Sequence, residues 1–253
     1  MATGVGEETV LGGIEAFVFD VFGTVVDWRS TLVAAGTELG EANGLTVDWP
    51  AFADRWRRDG YIRPISRIVA GNEPWRPVTT MLADCLEKLA VEFGLGPLGP
   101  EGLDLLLGVW DRLQPWPDAG VGLARLREVG VISTLSNGSF ASLTRMARAS
   151  RLGWDCIIST ELFHTYKPDP EAYLGACRLL GLPPDRVMLV AAHPADLSAA
   201  AACGLRTGYV SRPLEWGPDA PPPEPDGGRF DVSASDIGAL ADAFGVPALL
   251  SGE

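Results

Sequence analysis

Residues 19–29 read FDVFGTVVDWR. The stretch closes a short apolar run, Ala16–Phe19, with a carboxylate, Asp20, and continues through Phe22, Gly23 and Thr24. A run of Phe and Val without polar alternation describes a strand covered on both faces. Asp20 therefore stands at the carboxyl end of a buried strand. Four further runs have the same character: Val131–Leu135, Cys156–Ser159, Val187–Ala192 and Thr207–Val210. Segments with helical spacing separate most of them, namely Gly120–Val129, Ser139–Ser150, Pro170–Leu180 and Leu197–Cys203. This alternation implies an α/β fold, an open parallel sheet with helices on both faces.

One interval breaks the alternation. Between Trp28 and Trp116 the sequence reads as helices, Thr31–Asn43, Trp49–Val69, Val78–Phe93 and Gly102–Leu113, punctuated by GNEPWRP and GLGPLGPEG. It is too long for an ordinary crossover. Residues 29–115 are therefore read as a helical domain inserted after the first strand, and residues 14–28 with 116–253 as the α/β core. Trp49, Trp56, Trp75, Trp110 and Trp116 fall in or beside the insertion, as helix packing or as the lining of a lid over the strand ends. Residues 213–229, PLEWGPDAPPPEPDGGR, read as a surface loop, and Ser235–Phe244 as a final helix.

The chain has a net charge of −13, from 20 Lys and Arg against 33 Asp and Glu. Such a surface repels nucleic acid and anionic membranes, so neither is expected as a partner. An anionic substrate would need local cations to offset that field. No apolar run approaches the roughly 18 residues of a membrane span. The start, MATGVGEETVLGG, lacks the basic-then-apolar order of a secretory signal, and a cytoplasmic protein is expected. Cys85, Cys156, Cys177 and Cys203 form no CxxC pair and read as free buried thiols. Two histidines, His164 and His193, are too few for a histidine-rich metal site.

Ligands of open parallel sheets bind beyond the carboxyl ends of the strands, so the residues that follow each run matter most. The first run gives Asp20 and Thr24, and the second gives Ser136, Asn137 and Gly138. Lys167-Pro168 follows the third, and the fourth gives His193 and Asp196. Each alone is an ordinary turn or helix-cap residue. Together they would bring two carboxylates, a lysine, a histidine and small polar groups to one cleft.

FDVFGT at 19–24, SNG at 136–138, KPDPEAY at 167–173 and AAHPAD ending at Asp196 resemble, in order, the four motifs of the haloacid dehalogenase superfamily. The resemblance covers nearly the whole chain. It implies a Rossmann-like parallel sheet core with a helical cap inserted after the first strand, and Asp20 as nucleophile. Phosphatase members usually place a second Asp two residues later, as general acid, and a pair of acids for Mg²⁺ in the fourth motif. This chain has Phe22 and a lone Asp196. Both departures resemble the 2-haloacid dehalogenase branch, which needs no metal; no cofactor is implied. A halide leaves without a proton, so position 22 needs no acid, and an apolar side chain suits a drier pocket. The alternative is a phosphatase-like hydrolase of the same superfamily acting on a small phosphate ester. A receiver-like phosphoacceptor domain is disfavoured, because it needs an open site.

The resemblance implies a short (S)-2-haloacid as substrate, halide and an (R)-2-hydroxy acid as products, and a homodimer. Asp20 would displace halide from C2 and form an ester that water hydrolyses. Lys167 would keep Asp20 ionised beside Asp196. Thr24 either orients Asp20 or satisfies the turn at Gly23. Ser136 and Asn137 resemble the residues that hold the substrate carboxylate, aided by the start of the next helix. Arg57 resembles the cap arginine that meets the departing halide, with Arg58, Arg63 or Arg67 as alternatives. Tyr173 matches the family spacing after Lys167, and packing is its alternative role. Best-known members carry Ser and Asn where this chain has Ala191 and His193. His193, as a neutral imidazole, and Asp196 are therefore read as the pair that positions the hydrolytic water, with helix capping as the alternative for His193.

Overall fold

The computed structural model describes residues 12–220 and 230–247. The chain begins with β1 (Ala16–Phe19), then a tight loop and a two-residue strand, β2 (Val26–Asp27). Asp27 caps the next helix by accepting the Ser30 amide at 3.0 Å. That helix is α1 (Trp28–Ala42), followed by α2 (Trp49–Arg57), one turn of π-helix (Arg58–Ile62), α3 (Arg63–Val69), α4 (Val78–Glu92) and α5 (Gly99–Leu107). The expected single helix over 49–69 is thus two helices joined by a wider turn. A short strand, β3 (Gln114–Pro115), pairs antiparallel with β2, Val26 opposite Pro115 and Asp27 opposite Gln114. This ribbon was not evident from the sequence, because two-residue strands carry no periodicity.

The remainder alternates: α6 (Ala119–Leu126), β4 (Val131–Thr134), α7 (Phe140–Ala149), α8 (Pro170–Leu180), β5 (Val187–Ala191), α9 (Pro194–Ala202), β6 (Arg206–Val210), β7 (Val232–Ala234) and α10 (Ile237–Ala243). The five long-range strands form one parallel sheet in the order β4-β1-β5-β6-β7. All four residues of β1 are buried, as a strand with helices on both faces requires. The chain leaves β1 for β4 on one side and later crosses to β5 on the other. The crevice beyond the carboxyl end of β1 is therefore the switch point where such sheets bind ligands.

The expected strand Cys156–Ser159 is not a regular strand. It runs beside β4 with isolated bridges Ser133–Cys156 and Ser136–Ser159. The Thr134 hydroxyl interrupts the ladder, accepting the Ile158 amide and donating to the Ile158 carbonyl, both at 2.9 Å. Conversely β7 was missed: its VSA is too short and polar to read as a strand. No described helix is long and apolar enough to cross a membrane. The four cysteines are free; Cys85 and Cys177 are buried, whereas Cys156 and Cys203 are only partly so.

Candidate active site

Asp20 emerges from β1 between β4 and β5. The Asp20 amide donates to the Val190 carbonyl (3.0 Å), and the Leu135 amide to the Phe19 carbonyl (2.7 Å). The buried Asp20 carboxylate meets three donors. Lys167 Nζ donates to Oδ1 (2.9 Å), and Thr24 Oγ1 to Oδ2 (2.8 Å). His193 Nδ1 lies 3.0 Å from Oδ2. Thr24 also accepts the Ala192 amide at 2.9 Å, so its hydroxyl both orients Asp20 and ties the first loop to the end of β5. Burial by itself would raise the Asp20 carboxyl. The Lys167 ammonium and His193 outweigh it and hold the group well below the usual carboxylate range.

Lys167 is buried between two carboxylates, with Asp196 Oδ2 at 2.5 Å on its far side. Burial opposes its charge, but Asp196 and Asp20 hold it above the ordinary lysine value. Its backbone is clamped by Asn137, whose Oδ1 accepts the Lys167 amide (2.8 Å) and whose Nδ2 donates to the Lys167 carbonyl (3.2 Å). Thr160 donates to the same Oδ1 at 3.2 Å. Asp196, in the first turn of α9, accepts the Tyr173 hydroxyl at 2.6 Å. Burial and Asp196 keep that phenol protonated.

The second arm holds a residue that the sequence reading missed. His193 Nε2 faces Glu215, at 3.1 Å from Oε1 and 3.0 Å from Oε2. Burial alone would favour the neutral ring, but Glu215 and Asp20 push His193 up to about 10. With a carboxylate at each nitrogen the geometry favours an imidazolium, whereas the sequence suggests a neutral acceptor. Both ring nitrogens are already engaged by carboxylates. Glu215 is buried and accepts Trp28 Nε1 at 3.1 Å. Burial would raise its carboxyl, but His193 holds it below the ordinary value. Gly23 makes room for it. A Cβ there would lie 2.2 Å from Glu215 Oε1, and Gly23 has a φ of +97°. Residues 213–220 are thus not a bare surface loop, although 221–229 lie outside the described residues. Arg212 anchors their entry, donating to the Thr24 carbonyl and, bidentately, to Asp118, all at 2.8 Å.

A cavity of about 560 Å³ opens over these groups. Asp20, Asn137, Lys167, His193, Asp196, Glu215 and Trp216 line one side; Arg57, Tyr61, Ile62, Ile65 and Val69 line the other. Arg57 is buried, and its guanidinium lies over the rings of Tyr61 (4.0 Å), Trp28 (5.5 Å) and Phe22 (5.6 Å). One Nη donates weakly to the Phe22 carbonyl (3.4 Å), while Nε and the other Nη have no partner among the described residues. Among the alternatives, Arg58 is exposed, Arg63 pairs with Asp59 and Arg67 with Glu73. The π turn follows Arg57 directly, as such turns often do at functional sites. Phe22 does not line this cavity. Its ring packs on Tyr61 (5.5 Å) and Trp110 (5.8 Å), behind the wall. Ser136 does not reach it either, because its buried hydroxyl turns back to accept the Gly138 amide at 3.2 Å. Of the five insertion tryptophans none lines this cavity; Trp216 does. Among the described residues no group of three or more His, Cys, Asp or Glu is arranged to hold a metal ion.

The model of haloacid dehalogenase-like hydrolases matches residues 14–204. The chain belongs to this family. It is 29% identical to (S)-2-haloacid dehalogenase 4A of Burkholderia cepacia, over 80% of this chain and 85% of that protein. Identity to (S)-2-haloacid dehalogenase 1 of Pseudomonas sp. (strain CBS-3) is 30%, over 79% and 85%. Among solved structures, an L-2-haloacid dehalogenase superposes with a TM-score of 0.86 at 41% identity, covering 92% of this chain and all of the other. A defluorinating L-2-haloacid dehalogenase gives 0.84 at 38%, covering 91% and 95%.

Within this family frame, Asp20, Thr24, Lys167, Tyr173, His193 and Asp196 form one hydrogen-bonded group, with Asn137 as its clamp. Glu215 had one sequence signal. A loop that opens with a charged residue and a tryptophan, LEW, is poorer in loop formers than the proline run after it.

Proposed function

We propose that this chain hydrolyses short (S)-2-haloacids to (R)-2-hydroxy acids and halide through an ester on Asp20. One observation carries the reading: a carboxylate held ionised by Lys167 faces, across a cavity, an arginine with two nitrogens that have no partner among the described residues. Asp20 attacks C2 from the side opposite the halogen, with inversion, and the C–X electron pair leaves with the halide. Arg57 stabilises charge that grows on the halogen in the transition state. The substrate carboxylate lies toward Asn137 and the start of α7. Phe22 offers no proton at the position where phosphatase members place an acid, and halide departure needs none. Water then attacks the ester carbonyl, with Asp196 as the carboxylate that takes its proton. Lys167 and His193 supply the positive charge around Asp20, so no metal enters the scheme.

In the same proposal residues 29–115 form a cap whose neck is the β2–β3 ribbon, 14–28 with 116–253 form the core, and the enzyme is a cytoplasmic homodimer; sedimentation of the purified chain tests the last. The decisive experiment is a single turnover of (S)-2-chloropropionate in ¹⁸O-water with and without EDTA. Chloride and (R)-lactate should appear in both, with label in the Asp20 side chain. Label in the lactate alone, or phosphate-ester hydrolysis that needs Mg²⁺, would overturn the reading.

A further inference from the structure

The two oxygens of Asp20 are not equivalent. Oδ1 has one donor, Lys167 Nζ at 2.9 Å. Oδ2 has two, Thr24 Oγ1 at 2.8 Å and His193 Nδ1 at 3.0 Å. A nucleophilic oxygen must direct a lone pair at C2, and an oxygen with two donors is the poorer candidate. We propose that Oδ1 attacks the substrate, and that Thr24 and His193 form an oxyanion hole for Oδ2 during hydrolysis of the ester, with Glu215 as the positioning residue that keeps His193 charged.

The proposal rests on the ester mechanism above and assigns its second half. When Oδ1 bonds to C2, Oδ2 becomes the ester carbonyl oxygen. Water adds to Cγ, the C=O π pair moves onto Oδ2, and one water proton passes to Asp196. Collapse of this intermediate re-forms the C=O bond and breaks Cγ–Oδ1. The departing alkoxide takes the proton back, which gives the 2-hydroxy acid, and Asp20 releases its own proton to solvent. Negative charge on Oδ2 appears where the hydroxyl and the imidazolium already point, which is the geometry electrostatic preorganisation requires.

Glu215 has a specific place in this sequence. Esterification removes the charge of Asp20, one of the two carboxylates that hold the His193 proton. A histidine charged only through Asp20 would lose that support just as the oxyanion needs it. Glu215 contacts the other nitrogen, does not react, and is itself fixed by Trp28 Nε1 at 3.1 Å. The other ionisable groups on the same cavity are Lys167, Asp196, Arg57 and Tyr61. None is hydrogen-bonded to the ring.

The test is quenched-flow turnover of (S)-2-chloropropionate, with chloride and ester-bearing enzyme read separately, the latter by intact mass. His193→Ala should still give a chloride burst, slower than wild type because Lys167 alone then keeps Asp20 ionised, and should slow ester hydrolysis by about 10²-fold, the usual loss for one oxyanion donor. The burst also reports that the variant is folded. In wild type, ester hydrolysis should persist toward acid and fall at alkaline pH as the imidazolium is lost. Glu215→Gln should move that alkaline limb to lower pH. A base role for His193 gives the opposite profile, hydrolysis lost toward acid, and that result overturns the proposal, as does a His193→Ala enzyme that accumulates no ester while turning over. Absence of a chloride burst in wild type would instead remove the dehalogenase reading itself. Should His193→Ala not fold, His193→Gln, which keeps a neutral donor, must show intermediate ester accumulation or the proposal fails.

Discussion

The two sides of the cavity treat charge in opposite ways. On the sheet side every charged group has a partner: Lys167 sits between Asp20 and Asp196, and His193 between Asp20 and Glu215. On the helical side the buried Arg57 guanidinium has two nitrogens without a partner among the described residues and rests on aromatic faces. A saturated network fixes geometry, since each member determines the rotamer of the next. An unsaturated buried cation is costly until an anion arrives, so it reserves its interaction for a ligand. The sheet side thus holds the nucleophile in one state, and the helical side waits for charge that the reaction creates.

Removing the hub of the saturated side should have the largest effect. Lys167→Met leaves the buried Asp20 and the part-buried Asp196 near each other with no cation between them. Stability to urea should fall by about 3–5 kcal/mol, as for a broken buried ion pair. Chloride release should fall below detection at neutral pH, because the Asp20 carboxyl rises once the ammonium is gone. A Lys167→Met enzyme as stable and active as wild type would show that the network is not coupled.

The reserved side should behave differently. Arg57→Leu removes a cation that has no full set of partners, so stability should hold or rise, while kcat/KM for a 2-chloroalkanoate falls by about 10²-fold or more. The separation of stability from activity is the point of the measurement. If Arg57→Leu unfolds the protein, the guanidinium is structural and the contrast between the two sides collapses.

The same contrast sets how much could be read from the sequence. Asp20, Thr24 and Asp196 were legible because each follows an apolar strand within a few residues, and Lys167 because it comes some residues after a strand-like run; parallel strands deliver their carboxyl ends to one edge. The helices between β2 and β3 were legible because that interval carries helical spacing and no strand-like run. Arg57 was narrowed to four arginines on helical sequence, and only the π turn and burial separate it from the others. Glu215 lay hidden in a Pro- and Gly-rich segment, where no periodicity fixes which side chain turns inward. The carboxylate at His193 Nε2 was missed with it. Ser136 and Phe22 were assigned by position in a motif, yet one turns back to its own loop and the other packs behind the wall. Cys156–Ser159 has a strand's composition but meets a threonine hydroxyl where the ladder should be.

Gly23 links the first motif to this hidden residue, and changing it sharpens the contrast from within the saturated side. Gly23→Ala places a methyl 2.2 Å from Glu215 Oε1 at a φ of +97°. The backbone term alone costs about 1–2 kcal/mol, and Glu215 must withdraw from His193. Stability should fall by roughly that amount, and NMR titration of His193 should move to lower pH, as in Glu215→Gln. Unchanged histidine titration in Gly23→Ala would show that Glu215 has another way to hold the ring.

The smallest effect separates the two cations on the saturated side by pH alone. His193 is raised from its ordinary 6.5 to about 10 in the folded protein. The stability it contributes is therefore complete below pH 6.5 and is lost as pH rises toward and through about 10. Lys167 is raised above the ordinary lysine value, so its contribution is constant over that interval. Asp20 is depressed, so its contribution is lost only as pH falls below the ordinary carboxylate range. Between pH 6.5 and 10 the urea midpoint should decline in wild type through the His193 arm. In Glu215→Gln the decline should be shallower, because less of the histidine's charge is supported at the start. Equal slopes in the two proteins would mean that Glu215 does not hold the imidazolium and that Asp20 alone keeps it charged.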